Sequence, residues 1–226
     1  MIIKHLNLFI IICIAFFPAI GVADKRVDFD KRLYTDNPEA FYSFQTLFYE
    51  GMLVSLADEK FKVSISKGEK FYDIYLDTPS HTLFKKKISL RFRKRFINGL
   101  LAKQLLQLKM PEDLGNAKGA YWEQKSAIPV GKVIDETSDI LKYVNQNRRN
   151  NRSVSKFVTD RVNVDQLVPL IYVHQTRNRI YLSDQNNVVT YTITFDEMTS
   201  FSNLKIVPSY FVEIELSEKI ATSLKQ

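Results

Sequence analysis

The chain has 226 residues, of which 45% are hydrophobic and 25% charged, and its formal net charge is +7. This length favours one globular domain, or at most two, with a sizeable core. Cys13 is the only cysteine and there are three histidines, so a disulfide framework is excluded and a thiolate or histidine-rich metal site has little to draw on. The excess of positive charge favours polyanionic partners. No glycine-rich phosphate loop occurs, so side chains would have to hold any bound phosphate.

The N-terminal segment MIIKHLNLFIIICIAFFPAIGVADKR has the composition of a secretory signal peptide. One lysine precedes an apolar run from Leu8 to Phe17, and Gly21-Val22-Ala23 fits a cleavage site before Asp24. The run is short for a membrane span, and an uncleaved anchor is the alternative. We therefore predict a signal peptide over 1–23 and a single mature domain over 24–226. The protein is expected to be exported, periplasmic or secreted, without stable membrane association after cleavage.

The mature chain is predicted to consist mainly of strands with two helical inserts. Period-two alternation between turn residues predicts strands over residues 27–34, 61–66, 71–79, 85–96, 100–111, 119–129, 169–183, 188–198 and 210–218. Apolar residues recur every three to four positions in 36–57 and 138–147, which predicts helices there. The stretch 148–156 is predicted to be a loop and 199–209 a long turn. This pattern favours an α+β, mainly β fold in which an antiparallel sheet curls into a barrel.

The stretch KKKISLRFRKRF, residues 85–96, carries most of its cations on one strand face. Other predicted strands show the same division into an apolar and an ionisable face. The ionisable residues occur in pairs of one sign: Asp28 and Asp30, Arg91 and Arg93, Arg177 and Arg179, Glu213 and Glu215. Two interpretations fit the alternation equally. The charges either face water, or line a barrel whose apolar outside is covered by helices such as 37–57.

A charged interior would need specific partners. Buried charges have to be paired or to coordinate a metal. Clustered carboxylates suit Mg²⁺ or Mn²⁺, which prefer oxygen ligands, whereas clustered arginines suit phosphate oxygens. A lumen with both clusters would therefore suit a metal-complexed polyphosphate.

These residues, in this order, resemble the CYTH domain of the triphosphate tunnel metalloenzyme superfamily over roughly 27–217. The segment YLDTPSHTLFKKKISLRFRKR is similar to the family's Tyr-x-Asp-Thr-Pro turn and Ser-Leu-Arg-x-Arg strand. Asp28-x-Asp30-x-Arg32 stands in place of the family's Glu-x-Glu-x-Lys signature. The later matches are Lys109, Arg177-x-Arg179, Asp196 and Glu213-x-Glu215.

The resemblance implies a closed antiparallel tunnel barrel of eight strands with covering helices. It also implies metal-assisted hydrolysis, with Mg²⁺ or Mn²⁺, of a triphosphate or longer polyphosphate. The implied phosphate-binding residues are Arg32, Arg91, Arg93, Lys109, Arg177 and Arg179. The implied metal ligands are Asp28, Asp30, Glu123, Asp196, Glu213 and Glu215, and Asp28, Asp30, Glu213 and Glu215 are also implied to be catalytic. One metal would orient the phosphates, while a second, or a carboxylate, would activate the attacking water.

The chain departs from the family pattern at two places. Asp28 and Asp30 are one methylene shorter than the family's usual glutamates, and Lys125 stands where many relatives have a second acid. These departures favour, as the alternative, a non-catalytic tunnel protein that binds polyphosphate. A nucleic-acid partner is not expected, because the aromatic residues lie mainly on the apolar faces and not among the cations. An outer-membrane barrel fits less well, because aromatic girdles are not evident.

Overall fold

Eight strands and four helices make up the part of the chain that the structure describes. The computed structural model describes residues 30–52, 61–111, 121–132, 134–149, 154–202 and 205–216, with backbone alone at 30, 31, 52, 121 and 122. The elements are β1 (Asp30–Thr35), α1 (Pro38–Leu47), β2 (Lys62–Asp77), α2 (Thr82–Lys85), β3 (Ser89–Ile97), β4 (Leu100–Pro111), β5 (Tyr121–Ile128), α3 (Thr137–Asn147), α4 (Val154–Thr159), β6 (Val168–Ser183), β7 (Val189–Ser202) and β8 (Lys205–Leu216). A π-helical turn follows α1 at Phe48–Met52, and a 3₁₀ turn precedes β6 at Val164–Gln166.

The strands form one eight-stranded sheet in the order β1-β8-β7-β6-β2-β3-β4-β5. The pairs β1/β8, β2/β3, β3/β4 and β4/β5 are antiparallel. The expectation of a mainly β fold with a mostly antiparallel eight-stranded sheet and few helices is therefore confirmed. Among the described strands, β1 and β5 are the two ends of this order, so the strand pairs do not form a closed ring there.

One carboxylate shapes the connection between β2 and β3. Asp77 is buried, and its two carboxylate oxygens accept hydrogen bonds from the backbone N–H groups of Leu83 and Phe84 at 2.8 and 2.9 Å. The chain therefore turns into α2 directly after β2, and β3 begins later than predicted. Lys85 lies in α2 and Lys87 has a φ of 57°, so neither belongs to the strand. The aspartate of the Asp-Thr-Pro motif is thus a structural residue.

Two other predicted boundaries differ from the structure. The predicted strands 61–66 and 71–79 form the single strand β2, because Gly68 adopts a φ of 70° and the strand continues through it. The C-terminal part of the predicted loop 148–156 begins helix α4 instead. Val154 and Val158 are buried on that helix, and this burial favours the helix over a solvated loop.

The predicted turn 199–209 is mostly strand. β7 extends to Ser202 and β8 begins at Lys205, so the connection between them is short. Pro208 lies within β8, although proline is excluded from the centre of a sheet. In the described register, β1 pairs with residues Tyr210–Glu215 of β8, so Pro208 lies beyond that pairing, where a missing N–H is tolerated.

The described residues fall into two compact units. Unit 1 consists of residues 30–52, 61–67, 177–197 and 208–216. Helix α1 begins where the side-chain oxygen of Asn37 accepts the N–H of Ala40 at 3.1 Å, and it packs on the apolar faces of β6, β7 and β8. The core residues are Phe41, Phe48, Ile180, Leu182, Ile193, Phe195, Val212 and Ile214. The first predicted helix therefore covers an apolar strand face, as expected.

Unit 2 consists of residues 68–111, 121–132, 134–149, 154–176, 198–202 and 205–207. Helices α3 and α4 pack on the apolar faces of β2, β3 and β4. The buried residues include Leu76, Leu90, Phe92, Leu106 and Leu108 from the strands, and Ile140, Val144, Val154 and Val158 from the helices. None of the helices in the described ranges is long and apolar enough to cross a bilayer.

The ionisable strand faces are not solvated at their centres. Asp73 and Asp196 are only 3% and 4% exposed, and Gln107 is 4% exposed. Aspartate is almost never buried to this extent without a partner. These side chains therefore belong to polar networks inside each unit, which argues against the interpretation in which they face water.

Candidate functional site

Two predicted phosphate-binding arginines lie side by side in unit 2, on the ionisable face of β3. The side chains of Arg91 and Arg93 are 15% and 13% exposed. The strand register places Tyr75 of β2 opposite Arg91 and Asp73 opposite Arg93. Asp73 accepts hydrogen bonds from Nε and Nη2 of Arg93, both at 2.6 Å, and from Nη1 of Arg91 at 3.1 Å. One buried carboxylate therefore holds both guanidinium groups.

Neutral oxygen atoms hold the arginine pair from its other sides. Oε1 of Gln107 accepts hydrogen bonds from Nε and Nη2 of Arg91 at 3.0 and 2.5 Å. The hydroxyl of Tyr75 accepts from Nη1 of Arg91 at 3.2 Å, and Oε1 of Gln175 accepts from Nη2 of Arg93 at 3.1 Å. Both amides are buried. These contacts fix the direction of the guanidinium groups without cancelling their charge.

Glu123 of β5 belongs to the same network. Its carboxylate lies 2.5 Å from Nζ of Lys125 and 3.7 Å from Nζ of Lys109, and it accepts a hydrogen bond from the amide of Gln107. Burial alone would raise the pKa of Glu123. The hydrogen bond from Lys125 and the charges of both lysines outweigh burial and hold this pKa below its ordinary value. The contacts described in unit 2 join four cations, Arg91, Arg93, Lys109 and Lys125, to two carboxylates, Asp73 and Glu123.

A second cluster of ion pairs lies in unit 1. Arg177 binds Asp196 through two hydrogen bonds, at 2.6 Å from Nε and 2.5 Å from Nη2. The same Nη2 lies 3.9 Å from Oε2 of Glu213. Nε and Nη2 of Arg32 lie 2.7 and 2.6 Å from Oε1 of Glu213. Glu213 is therefore shared by two of the predicted phosphate-binding arginines.

The structure gives less detail for the other predicted site residues of unit 1, namely Arg179, Glu215, Asp28 and Asp30. Glu215 of β8 stands opposite Asp30 of β1 in the strand register, just as Glu213 stands opposite Arg32. Glu215 and Arg179 are partly buried and have interaction partners. Asp28 and the side chain of Asp30 lie outside the described residues, so their predicted roles stay predictions.

The carboxylates of unit 1 offer the oxygen donors that Mg²⁺ and Mn²⁺ prefer. Within the ranges that the structure describes, no group of three or more Asp, Glu, His or Cys side chains could hold an ion. Asp196 and Glu213 contact Arg177 and Arg32, so a cation would have to exchange with these arginines for carboxylate oxygens. The donor chemistry fits a divalent ion, and Asp28, Asp30 or Glu215 would have to complete its ligand set.

Sequence reasoning missed four residues of the unit 2 network, namely Asp73, Tyr75, Gln107 and Gln175. A signal for Asp73 was present, because aspartate is depleted in strands and this one lies inside the apolar stretch FYDIYL. Its position opposite Arg93 depends on the β2/β3 register, which no local pattern specified. The two glutamines carry no charge, so the pairing of like charges along the strands does not indicate them.

Comparisons with known proteins agree with the sequence resemblance. The CYTH domain profile matches residues 50–226. A proposed adenylate cyclase of known structure from Bacillus halodurans is 16% identical with a TM-score of 0.52, and the match covers 89% of this chain and 87% of that chain. A proposed adenylate cyclase from Vibrio parahaemolyticus is 14% identical with a TM-score of 0.47, covering 89% and 82%.

A proposed adenylyl cyclase from Hippeastrum, which has a dominant triphosphatase activity, is 18% identical with a TM-score of 0.49, covering 88% and 84%. Curated protein sequences give no significant match. The likeness to the Bacillus structure shows a common fold. The profile match spans β2 to β8 and leaves Asp28, Asp30 and Arg32 outside it. Because this match covers well over half of its residues, the chain belongs to the CYTH domain family.

Proposed function

We propose that this protein is an exported, metal-dependent hydrolase of inorganic triphosphate, polyphosphate or an organic triphosphate. Membership of the CYTH family supports phosphoanhydride chemistry. The observation that carries the proposal is the pair Arg91 and Arg93, two guanidinium groups held together on one strand face with little exposure to water. Arginine forks match phosphate oxygens, and their attraction to an anion is stronger where water is largely excluded.

The proposed roles are those that the family resemblance implies, distributed over the two units. In unit 2, Arg91, Arg93 and Lys109 bind phosphate oxygens. In unit 1, the phosphate-binding residues are Arg32, Arg177 and Arg179, and the metal ligands are Asp28, Asp30, Asp196, Glu213 and Glu215. Arg32 and Arg177 keep the carboxylate of Glu213 in place until ligands bind. A second metal ion, or a carboxylate among the catalytic residues Asp28, Asp30, Glu213 and Glu215, then activates the attacking water.

Mg²⁺ or Mn²⁺, when bound, would polarise a phosphate oxygen and lower the pKa of a water molecule. The contribution of the chain is to gather oxygen donors and cations on adjacent strands of unit 1. Asp196 and Glu213 lie on neighbouring strands β7 and β8, and both contact Arg177. This arrangement supports a role for the two carboxylates at one centre.

Phosphate release from inorganic triphosphate tests the proposal. The purified protein is assayed with Mg²⁺, with Mn²⁺ and with EDTA, and we expect release only with a metal ion. Glu213→Gln should lower the rate by at least about 100-fold, the usual contribution of a proton-accepting group. Glu197→Gln is the matched control, because it removes the same charge from β7 of the same unit and Glu197 contacts the hydroxyl of Tyr42. Equal activity of Glu213→Gln and wild type would contradict the assigned role.

A non-catalytic polyphosphate-binding protein is the second candidate. The observation that favours it is Glu123, a predicted metal ligand, whose carboxylate lies 2.5 Å from Lys125. A carboxylate held by lysines strengthens an anion-binding network and is less available to a cation. This candidate predicts polyphosphate binding that persists in EDTA, without phosphate release in any metal. Loss of binding on metal removal would count against it.

Export is the last part of the proposal, and it depends on the N-terminal segment 1–23. Sequencing the N-terminus of the protein that accumulates in cells should give Asp24 as the first residue. A first residue of Met1 in protein from the membrane fraction would favour the uncleaved anchor instead.

A further inference from the structure

The carboxylate of Asp73 has no part in the roles proposed so far. It lies on β2, is only 3% exposed, and contacts both Arg91 and Arg93. Its neighbours on the same strand face are two aromatic residues. The guanidinium carbon of Arg93 lies 4.6 Å from the ring centroid of Phe71, and that of Arg91 lies 5.8 Å from the ring centroid of Tyr75. β2 therefore presents a ring, a carboxylate and a second ring to the two arginines of β3.

We infer that Asp73 is a positioning residue, which sets the directions of the Arg91 and Arg93 guanidinium groups for a phosphate ligand. The inference rests on the proposed phosphate-binding role of these arginines. Arg91 and Arg93 are two residues apart on one strand face, where like charges repel. Asp73 counters this repulsion by hydrogen bonding to both. A pair fixed before the ligand arrives loses less side-chain freedom on binding, and therefore binds more tightly.

The hydrogen bonds of the network orient the two guanidinium groups as well as placing a carboxylate beside their charges. Asp73 accepts hydrogen bonds from Nε and Nη2 of Arg93. These two nitrogens form the edge of the guanidinium group that lies towards β2. Gln107 accepts hydrogen bonds from Nε and Nη2 of Arg91, and it therefore holds the Arg91 guanidinium group from the side of β4. The two planar groups are thus held at defined edges by partners from different strands.

A role for Asp73 as a charge alone makes the opposite prediction. A carboxylate beside an anion site repels the anion, so its removal would tighten binding. If Asp73 instead orients the arginines, its removal weakens binding although the site becomes more positive. A purely structural role would lower the midpoint of thermal unfolding and leave the affinity of the folded protein unchanged. The sign of the change in affinity therefore separates the three roles.

The test measures the Kd for inorganic triphosphate by titration calorimetry on the full chain, with Mg²⁺ and with EDTA. Asp73→Asn keeps the size of the side chain and removes its charge, and we expect Kd to rise by at least about tenfold, since misplaced binding groups cost one to two orders of magnitude. Glu69→Gln is the matched control. Glu69 lies on the same face of β2, is also 3% exposed, and forms its ion pair with Arg95 at 2.7 Å. Its replacement should change Kd by less than about twofold, because its partner Arg95 is not among the proposed phosphate-binding residues and effects at independent sites do not couple.

Asp73→Glu gives a second measurement that does not depend on the charge. It keeps the carboxylate but moves it by one methylene, so orientation predicts weaker binding and charge alone predicts no change. Circular dichroism establishes that each variant is folded before its Kd is interpreted. If Asp73→Asn does not fold, Asp73→Glu decides the question.

The outcomes are distinguishable from a failure of the proposed function. Unchanged or tighter triphosphate binding by folded Asp73→Asn overturns the inference, as does an equal loss in Glu69→Gln, and both leave the phosphate-binding role of the arginines intact. A wild-type protein that neither binds nor hydrolyses triphosphate overturns the proposed function, and the inference with it. Weaker binding in both Asp73 variants, with the control unchanged, establishes the positioning role.

Discussion

The two units use the same residue types, arginine and carboxylate, but the arginine partners of Asp73 in unit 2 and of Glu213 in unit 1 differ in how far water reaches them. In unit 2, the side chain of Asp73 is 1% exposed, and its partners Arg91 and Arg93 are 15% and 13% exposed. In unit 1, Glu213 is 12% exposed and one of its partners, Arg32, is 54% exposed. Arg91 and Arg93 are therefore held at a largely buried carboxylate, whereas Arg32 can exchange its contact with Glu213 for contacts with water.

This difference separates fixed contacts from exchangeable ones. An exposed ion pair contributes about 0–1 kcal/mol, whereas removing one partner of a buried pair costs about 3–5 kcal/mol. A metal ion can compete with Arg32 for Glu213 at small cost, but it cannot easily displace Arg93 from Asp73. The comparison therefore supports Glu213, rather than Asp73, as a carboxylate that a metal ion could bind.

Removing each carboxylate is the strongest way to break this comparison. Asp73→Ala leaves two largely buried guanidinium groups without their carboxylate, so we expect a loss of about 3 kcal/mol in the free energy of unfolding. Glu213→Ala should lose only about 1 kcal/mol, because Arg32 is exposed and Arg177 keeps its bond to Asp196. Urea unfolding measures both losses. Equal losses in the two variants would mean that burial does not distinguish the contacts of Asp73 from those of Glu213.

A smaller contrast is expected inside unit 1, between the two arginines that contact Glu213. Arg177→Ala leaves Asp196, which is 5% exposed, without its two hydrogen bonds, and should cost about 2–3 kcal/mol in the free energy of unfolding. Arg32→Ala should cost less than about 1 kcal/mol. Unfolding at low and high salt sharpens the measurement, because only the Arg32 contribution should be screened. A large, salt-independent loss in Arg32→Ala would contradict this assignment.

The sequence predicted the strands and the division of their faces better than it predicted the partners across them. Alternation identified the ionisable face of β3, including Arg91 and Arg93, because side-chain direction follows from the residue number within a strand. The contact of both with Asp73 depends on the β2/β3 register, which is set by the whole sheet. The boundaries near Gly68 and Pro208 differ from the prediction. A glycine with a positive φ can continue a strand, and a proline can stand in a strand where its missing N–H is tolerated.

The change in the free energy of unfolding at acid pH should depend on Glu123 of the unit 2 network. The pKa of Glu123 is lower in the folded state than in the unfolded state, so the folded protein favours the ionised carboxylate. Its contribution to stability is present above the unfolded pKa of about 4.3, and is lost as the pH falls through the lower, folded value. Glu123→Gln should therefore reduce the dependence of unfolding free energy on pH below about pH 4. Glu197→Gln should leave that dependence in place, and the same acid response in both variants would show that Glu123 is not responsible.

The smallest expected effect on stability is at alkaline pH and comes from Tyr42 of unit 1. The hydroxyl of Tyr42 donates a hydrogen bond to Glu197 at 2.8 Å, and this bond, with burial and the charge of Glu197, raises the pKa of Tyr42 to about 12. The folded state thus favours the protonated phenol, and the resulting stability is complete below pH 10 and is lost as the pH rises towards 12. Tyr42 is 43% exposed, so the contribution should stay below about 1 kcal/mol. In a titration followed by phenolate absorbance, Tyr42→Phe should remove the component at highest pH, and Glu197→Gln should shift that component to lower pH. If Glu197→Gln left it in place, burial rather than the carboxylate would be its cause.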